Sequence, residues 1–463
     1  MKMIKNILMV VCLFSLCACE SWLDVDPMSQ IKADELFRNE EGFHKALVGI
    51  YINMTKSSLY GGDMTLSTLD VMAQNYNTPL VEQGHMYERI AKYEYDNVKV
   101  KDRLERIWKE LYNEIANCNG ILERIDFQKD LFSDHYYELV RSEALALRAM
   151  FHLDLLRLYT PAVSEGLDRE AIPYKREFDS APARFSTTRE VLAHILHDLS
   201  VARDTLRHHD PVLVPELYED ELPSYFQKRT SRMNYYAVTA LMARVCLYMG
   251  NDALAYKYAK EVYLSEKFSL VTAKEAANAE EERESLTFRK EHILGLHVNG
   301  LQGNVTSNLF FANPLSSCLA VDEDEMKKLY GKNTTDIRYR YWFAVGSGGY
   351  MSLEKYRYGE YIPLLKYGEI LLILAETSVS IDEAAGYLNE LKTLRQIPAE
   401  QVDDFNLMDK LEEEYRKEFI GEGQLFYFYK RISKSQLPGL ITIKKETYTL
   451  PIPTDELEFK PTK

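Results

Sequence analysis

Apolar residues recur every three or four positions through most of this chain, and that spacing permits little besides packed amphipathic helices. Trp108, Leu111, Tyr112, Ile115, Cys118 and Leu122 form one stripe. Tyr137, Val140, Ala144, Leu147, Phe151, Leu155 and Leu158 form a second, closed by Tyr159-Thr160-Pro161. A third runs Leu192, Ile195, Leu199, Ala202, Leu206, with Ser186-Thr187-Thr188 placed to cap its start. The fourth, around Val238, Leu241, Val245 and Tyr248, carries Ala237, Ala240 and Ala243, small enough to let a neighbouring helix approach. Gly250-Asn251 supplies a left-handed end, and a further helix follows through Ala255, Ala259 and Val262. The stretch 240–262 therefore predicts a helix-turn-helix unit of tetratricopeptide type.

The pattern changes over about 290–350. His292 to Val298 reads as a short strand. After it, a Gly-, Asn- and Ser-rich stretch bearing Phe310, Phe311, Tyr339, Trp342 and Gly346-Ser347-Gly348-Gly349-Tyr350 predicts long loops. Helices are expected to resume at about Tyr361, and the chain to close with an extended Tyr448–Pro453. Ordered loops on a helical scaffold are where binding concentrates.

The N-terminus carries a second kind of information. Lys2 and Lys5 precede a short apolar run from Ile7 to Phe14, as in a secretory signal, and that run is too short to span a bilayer. It ends in Leu16-Cys17-Ala18-Cys19, which fits a bacterial lipobox with Cys19 as the lipidated residue. Acyl chains there would hold a globular domain at a membrane surface, each buried methylene contributing roughly 0.8 kcal/mol. The remaining Cys118, Cys246 and Cys318 are widely spaced and suggest neither disulfides nor a zinc site.

Composition narrows the partners. With 71 acidic against 56 basic residues the net charge is −15, which argues against nucleic acid. Tyrosine is abundant, 32 residues beside 19 Phe and 3 Trp, and its flat ring with a hydroxyl suits wet recognition surfaces. Signs of catalysis are absent from the sequence. His194 and His197 lie one helical turn apart but lack a third ligand and the His-Glu-x-x-His pattern, so neither a metal nor a cofactor is expected. Gly346–Gly349 lacks the Lys-Ser/Thr of a phosphate loop, and no Gly-x-Ser-x-Gly elbow occurs. Carboxylates are plentiful, and nothing singles out a glycosidase pair.

Six stretches, in order along the chain, resemble the SusD/RagB family of nutrient-binding lipoproteins. They are Cys19–Pro27, Leu36–Tyr51, Arg148–Tyr159, Lys366–Glu376, Glu414–Gly423 and Leu450–Leu457. Lys366 stands where the family usually has Arg, and Gln424–Arg431 departs from its usual Arg-x-x-Asp-Leu-x-Arg-Trp, which suggests a divergent subfamily. Glu369, Glu376, Arg416 and Glu422 within these stretches read as ion-pairing residues that fix helix packing.

The resemblance implies a mostly α, SusD-like fold with tetratricopeptide-like helix pairs and a loop-rich ligand-binding face. Residues 1–18 would be the signal peptide and 19–463 one SusD-like domain, its helical scaffold at about 30–270 and 361–435 and its loop-rich insert at about 290–350. It further implies a non-catalytic lipoprotein facing outward on the outer membrane, capturing an oligosaccharide for a SusC-like TonB-dependent transporter. Peptide capture of the RagB type, a surface glycoside hydrolase and a helical-repeat adaptor for proteins are the alternatives. Aromatic and amide residues in segments without helical periodicity nominate Asn75, Tyr76 and Tyr87 from an early loop, with Phe311 and Trp342 from the later one. The anchor is separately testable: Cys19→Ala is expected to move the protein from the membrane to the soluble fraction, and continued membrane retention counts against lipidation.

Overall fold

The amphipathic stripes become a stack of helices in which sequence neighbours are also neighbours in space. A computed structural model describes residues 33–76, 84–133, 135–179, 181–213, 227–311, 318–331, 335–438, 441–458 and 460. The expected signal segment and Cys19 lie outside the described residues. Helix α1 spans Glu40–Met54, started by the Asn39 side chain accepting from Gly42 N. The short α2 spans Thr68–Met72, followed by the long α3, Val98–Ile125, and α4, Tyr136–Tyr159. After a small antiparallel pair, β1 Glu170–Pro173 and β2 Phe185–Thr187, helix α5 runs Thr188–His209. Thr187 and Glu190 form a capping box at its start, as the Ser-Thr-Thr run predicts.

Helices α6, Tyr235–Tyr248, and α7, Asp252–Leu264, form the predicted hairpin. Gly250 at φ +73° ends the first and Asn251 Oδ1 accepts from Leu254 N to start the second. Packing proceeds in chain order: α3 on α4, α4 on α5, α5 on α6, α6 on α7. Helix α4 is buried on nearly every side, which follows from its position between two partners.

Strand β3, His292–His297, is where the sequence places it, but its partner corrects an expectation. Tyr361–Lys366 is not the start of a helix; it is a strand, antiparallel to β3, with His297 opposite Tyr361. The stretch between them is also less loop-like than expected. It holds short helices at Ser307–Phe310, Glu323–Tyr330 and Ile337–Trp342 and a three-stranded sheet of Ala320–Asp322, Tyr350–Leu353 and Phe343–Val345, with Tyr350–Leu353 central. Gly348 and Gly349, both at positive φ, turn the chain within that sheet. Helices at Tyr367–Thr377, Ile381–Leu394, Leu407–Glu418 and Gln424–Arg431 complete the scaffold. Among the described residues no helix is long and apolar enough to cross a membrane.

The C-terminal helices are joined by buried charges. Glu418, fully buried, accepts from Arg338 at 2.8 Å and Arg395 at 2.6 Å, with Lys366 Nζ 3.2 Å away. Arg395 continues to Glu291 at 2.6–2.7 Å, Arg338 to Asp336 and Glu414 at 2.8–2.9 Å, and Lys366 to Glu422 at 2.7 Å. Burial alone would raise the Glu418 carboxyl, yet Arg395, Lys366 and Arg338 together hold it well below the usual carboxylate range. Glu369 pairs with Arg244 and Glu376 with Arg431, while Arg416 instead borders a surface cavity. Removing the charge at the hub leaves three cations without their shared counter-ion. Glu418→Gln is therefore expected to lower unfolding free energy by about 3–5 kcal/mol, read from urea denaturation.

Candidate functional site

Residues 58–74 are almost entirely buried although most are in turns, so polar side chains must satisfy the backbone there. Asp63 organises the run, accepting from Thr68 and Arg103 at 2.7 Å, and Thr65 Oγ1 donates to Tyr60 O. Tyr60 donates onward to Asp154 of α4 at 2.6 Å, which ties the turns to the helical stack.

From α2, Asp70 reaches the far end of the chain. Its carboxylate accepts from the backbone N–H of Gly421 and, at 3.0 Å, of Gly423. Both glycines are at positive φ, and a Cβ on Gly423 would lie 2.2 Å from Met64 O, so the turn admits neither a side chain nor a looser approach. Burial pushes the Asp70 carboxyl up to about 7, outweighing the opposite pull of Gly421, Asn75, Gly423 and Lys355.

This clasp sets a row of aromatic rings. Tyr76, fully buried, donates to Leu66 O at 2.9 Å and stands 5.9 Å from Phe310. Tyr87, also buried, neighbours Tyr76 and carries the Arg103 guanidinium 4.8 Å over its ring. Phe310 stacks near-parallel with Tyr356 at 6.4 Å, and Tyr356 donates to Gly421 O at 2.8 Å. The outermost ring is Phe311, half-buried, edge-on to Phe310 at 6.2 Å with Arg357 4.8 Å over its face. Asn75, also half-buried, donates its backbone N–H to Asp70 O at 3.0 Å.

Of the five residues nominated from sequence, Tyr76 and Phe311 both lie against Phe310, Tyr87 neighbours Tyr76, and Asn75 precedes Tyr76 in the chain. Trp342 does not join them. It is 1% exposed, donates its indole N–H to Leu286 O at 2.8 Å, and lies under Lys355 at 4.1 Å, a floor for the buried charges. Tyr76 and Tyr87 have no ring face open to solvent, so on this face they support rather than touch a ligand. Sequence reasoning missed Phe310 as the connecting ring, Tyr356 and Arg357 as its neighbours, and Asp70 as the clasp. The doublet Phe310-Phe311 was the available signal for the first; Asp70 had none, since its partners lie more than 350 positions away.

What the face can do is bind: a ring partly open beside a guanidinium, on a floor of buried rings, suits a ligand with C–H faces and hydroxyls. Comparisons with known proteins agree in kind. The model of a SusD-like family described as "Starch-binding associating with outer membrane" matches residues 21–247. A SusD-like protein P25 of Formosa agariphila is 29% identical over 181 residues, a match spanning 37% of this chain and only a third, 33%, of that protein. A SusD superfamily protein of Bacteroides thetaiotaomicron shares the fold at TM-score 0.72 and 20% identity, over 91% of this chain and 98% of that one. A laminarin-binding SusD-like protein does so at TM-score 0.66 and 17% identity, over 92% and 98%. Residues 21–247 are thus similar to the SusD-like family, and the chain shares the mostly helical fold of the SusD superfamily structures.

The Asp70 clasp has a pH signature. Because its folded pKa lies above the ordinary 3.8, the folded state holds this proton more tightly than the unfolded chain. Its contribution to stability is full below about pH 4, declines as pH rises towards about 7, and is flat above. Urea denaturation of wild type and Asp70→Asn across pH 4–8 is expected to show the two proteins' difference shrinking over that window.

Proposed function

We propose that this protein captures an oligosaccharide outside the cell, at an outer membrane to which Cys19 anchors it, and passes it to a SusC-like TonB-dependent transporter without altering it. Residues 19–463 act on this reading as one domain behind a signal segment, 1–18. The observation that carries the ligand class is the half-buried Phe311 ring beneath Arg357, on a floor of buried aromatic rings whose Tyr76 follows the half-buried Asn75 in the chain. Stacking on an aromatic face and hydrogen bonding to a flanking amide are what a sugar ring requires. The family's description as starch-binding and the laminarin-binding neighbour support the same class.

A binding role without chemistry is supported by the state of the carboxylates. Asp63 and Asp70 are held by Arg103 and by backbone N–H groups, and Glu354 by Arg357. In a separate cavity of about 830 Å³ lined by Tyr235, Tyr236 and Tyr256, the one carboxylate among the described lining residues is Glu261, and both its oxygens accept from Arg203. Neither place presents the two open carboxyls a glycosidase uses.

Glycan-array screening of the protein lacking its first 19 residues, followed by calorimetry on a hit, tests this. Phe311→Ala and Asn75→Ala are each expected to weaken binding about tenfold, close to 1.4 kcal/mol, with melting temperature unchanged. Undiminished affinity in both variants places the site elsewhere, and retention of peptides in preference to glycans favours the peptide-capturing alternative.

A further inference from the structure

A cavity of about 530 Å³ opens between the C-terminal half of α1, the turn at 227–232 and the end of β3. Its volume lies within the roughly 300–1,000 Å³ of small-ligand sites. In a chain of net charge −15, its described lining residues include no Asp or Glu. They include two cations, Lys228 and Arg232.

Two arginines three positions apart on the same turn have opposite fates. Arg229 is buried and doubly paired, to Glu143 at 2.5 Å and Asp210 at 3.0 Å. Arg232 has no carboxylate within ion-pair distance among the described residues. Its guanidinium lies 4.6 Å over the ring of Tyr51, whose hydroxyl is already engaged, donating to Glu143 and accepting from Met233 N. An aromatic face holds the guanidinium flat without neutralising it, so its N–H groups and its charge remain for a ligand.

The rest of the lining fits a sugar. Ser231 Oγ is shielded from solvent and has no hydrogen-bond partner. Asn299 presents an amide from the turn after β3 and is exposed, while Ile52 and Leu296 form an apolar wall. A planar guanidinium donates two parallel N–H bonds to an oxyanion, and charge-assisted bonds of this type are about twice as strong as neutral ones.

We infer that this cavity is a subsite for an acidic sugar unit, its carboxylate or sulfate held by Arg232 and its hydroxyls by Ser231 and Asn299. The inference rests on the glycan-capture reading and deepens it: the captured glycan carries negative charge. None of these residues belongs to the Phe311 face, so the two sites are separable by mutation.

The test is calorimetry of wild type, Arg232→Gln and Phe311→Ala against oligosaccharides of polygalacturonate and alginate (carboxylates), of carrageenan (sulfate esters) and of laminarin (neutral). Expected is tighter binding of at least one acidic ligand than of laminarin, weakened tenfold or more by Arg232→Gln and by added salt. The melting temperature should be unchanged, because Arg232 makes no ion pair with any of the described residues. The class bound, carboxylate or sulfate, identifies the anion. Acidic ligands bound equally by wild type and Arg232→Gln, or no more tightly than laminarin, overturn the inference. Laminarin binding that Phe311→Ala abolishes, with no acidic ligand weakened by Arg232→Gln, would leave glycan capture standing without this subsite. Binding of no glycan by wild type overturns both.

Discussion

The candidate face depends on one carboxylate. Asp70 receives two backbone N–H groups from a turn more than 350 positions away, and the ring row stands on the parts it joins. On one side are α2 and the buried turns leading to Asn75 and Tyr76; on the other is Gly421, whose carbonyl accepts from Tyr356 beneath Phe310. A Cβ on Gly421 would meet the Tyr356 ring at 2.7 Å, so the glycine is what lets ring and turn approach.

Beside that clasp runs the buried charge network, and the two share a short segment: Glu418 and Glu422 belong to the network, Gly421 and Gly423 to the clasp. Desolvating so many charges makes their net contribution to stability small, while leaving one unpaired is costly. The network therefore acts on geometry more than on stability. It fixes the relative placement of β3, the strand Tyr361–Lys366 and the last helices by penalising any arrangement that strands a charge. The stretch Glu414–Gly423, which carries part of the family resemblance, has a physical reason to look as it does.

Much of the scaffold was legible because helices such as α3 and α5 have one wet edge, and the alternation of wet and dry marks the period. A short segment without that contrast is harder to read. Tyr361–Lys366 is buried at every position, so its run of apolar residues blends into the helix that follows. The elements between 307 and 353 are too short to establish any period. For the site, lack of periodicity singled out Phe311 and Trp342 alike and could not separate a ring at the surface from one beneath it. Trp342 lies in the same stretch as Phe311, yet its indole is sealed by Phe288 and Lys355. Sealing of that kind comes from partners remote in sequence.

The clasp also constrains the order of assembly. A ribosome releases Asp70 long before Gly421 and Gly423 exist, and contacts between such distant positions form late because a large loop must first close. The Asp70 carboxyl in the turns at 58–74 must therefore wait for its backbone partners until almost the whole chain has emerged. A chain that stops short of residue 421 can build the α3–α7 helical stack, whose neighbours are local, and still lack the clasp that sets the ring row. Placement of those rings is thereby coupled to complete synthesis, and a prematurely terminated product would be a scaffold without them in position.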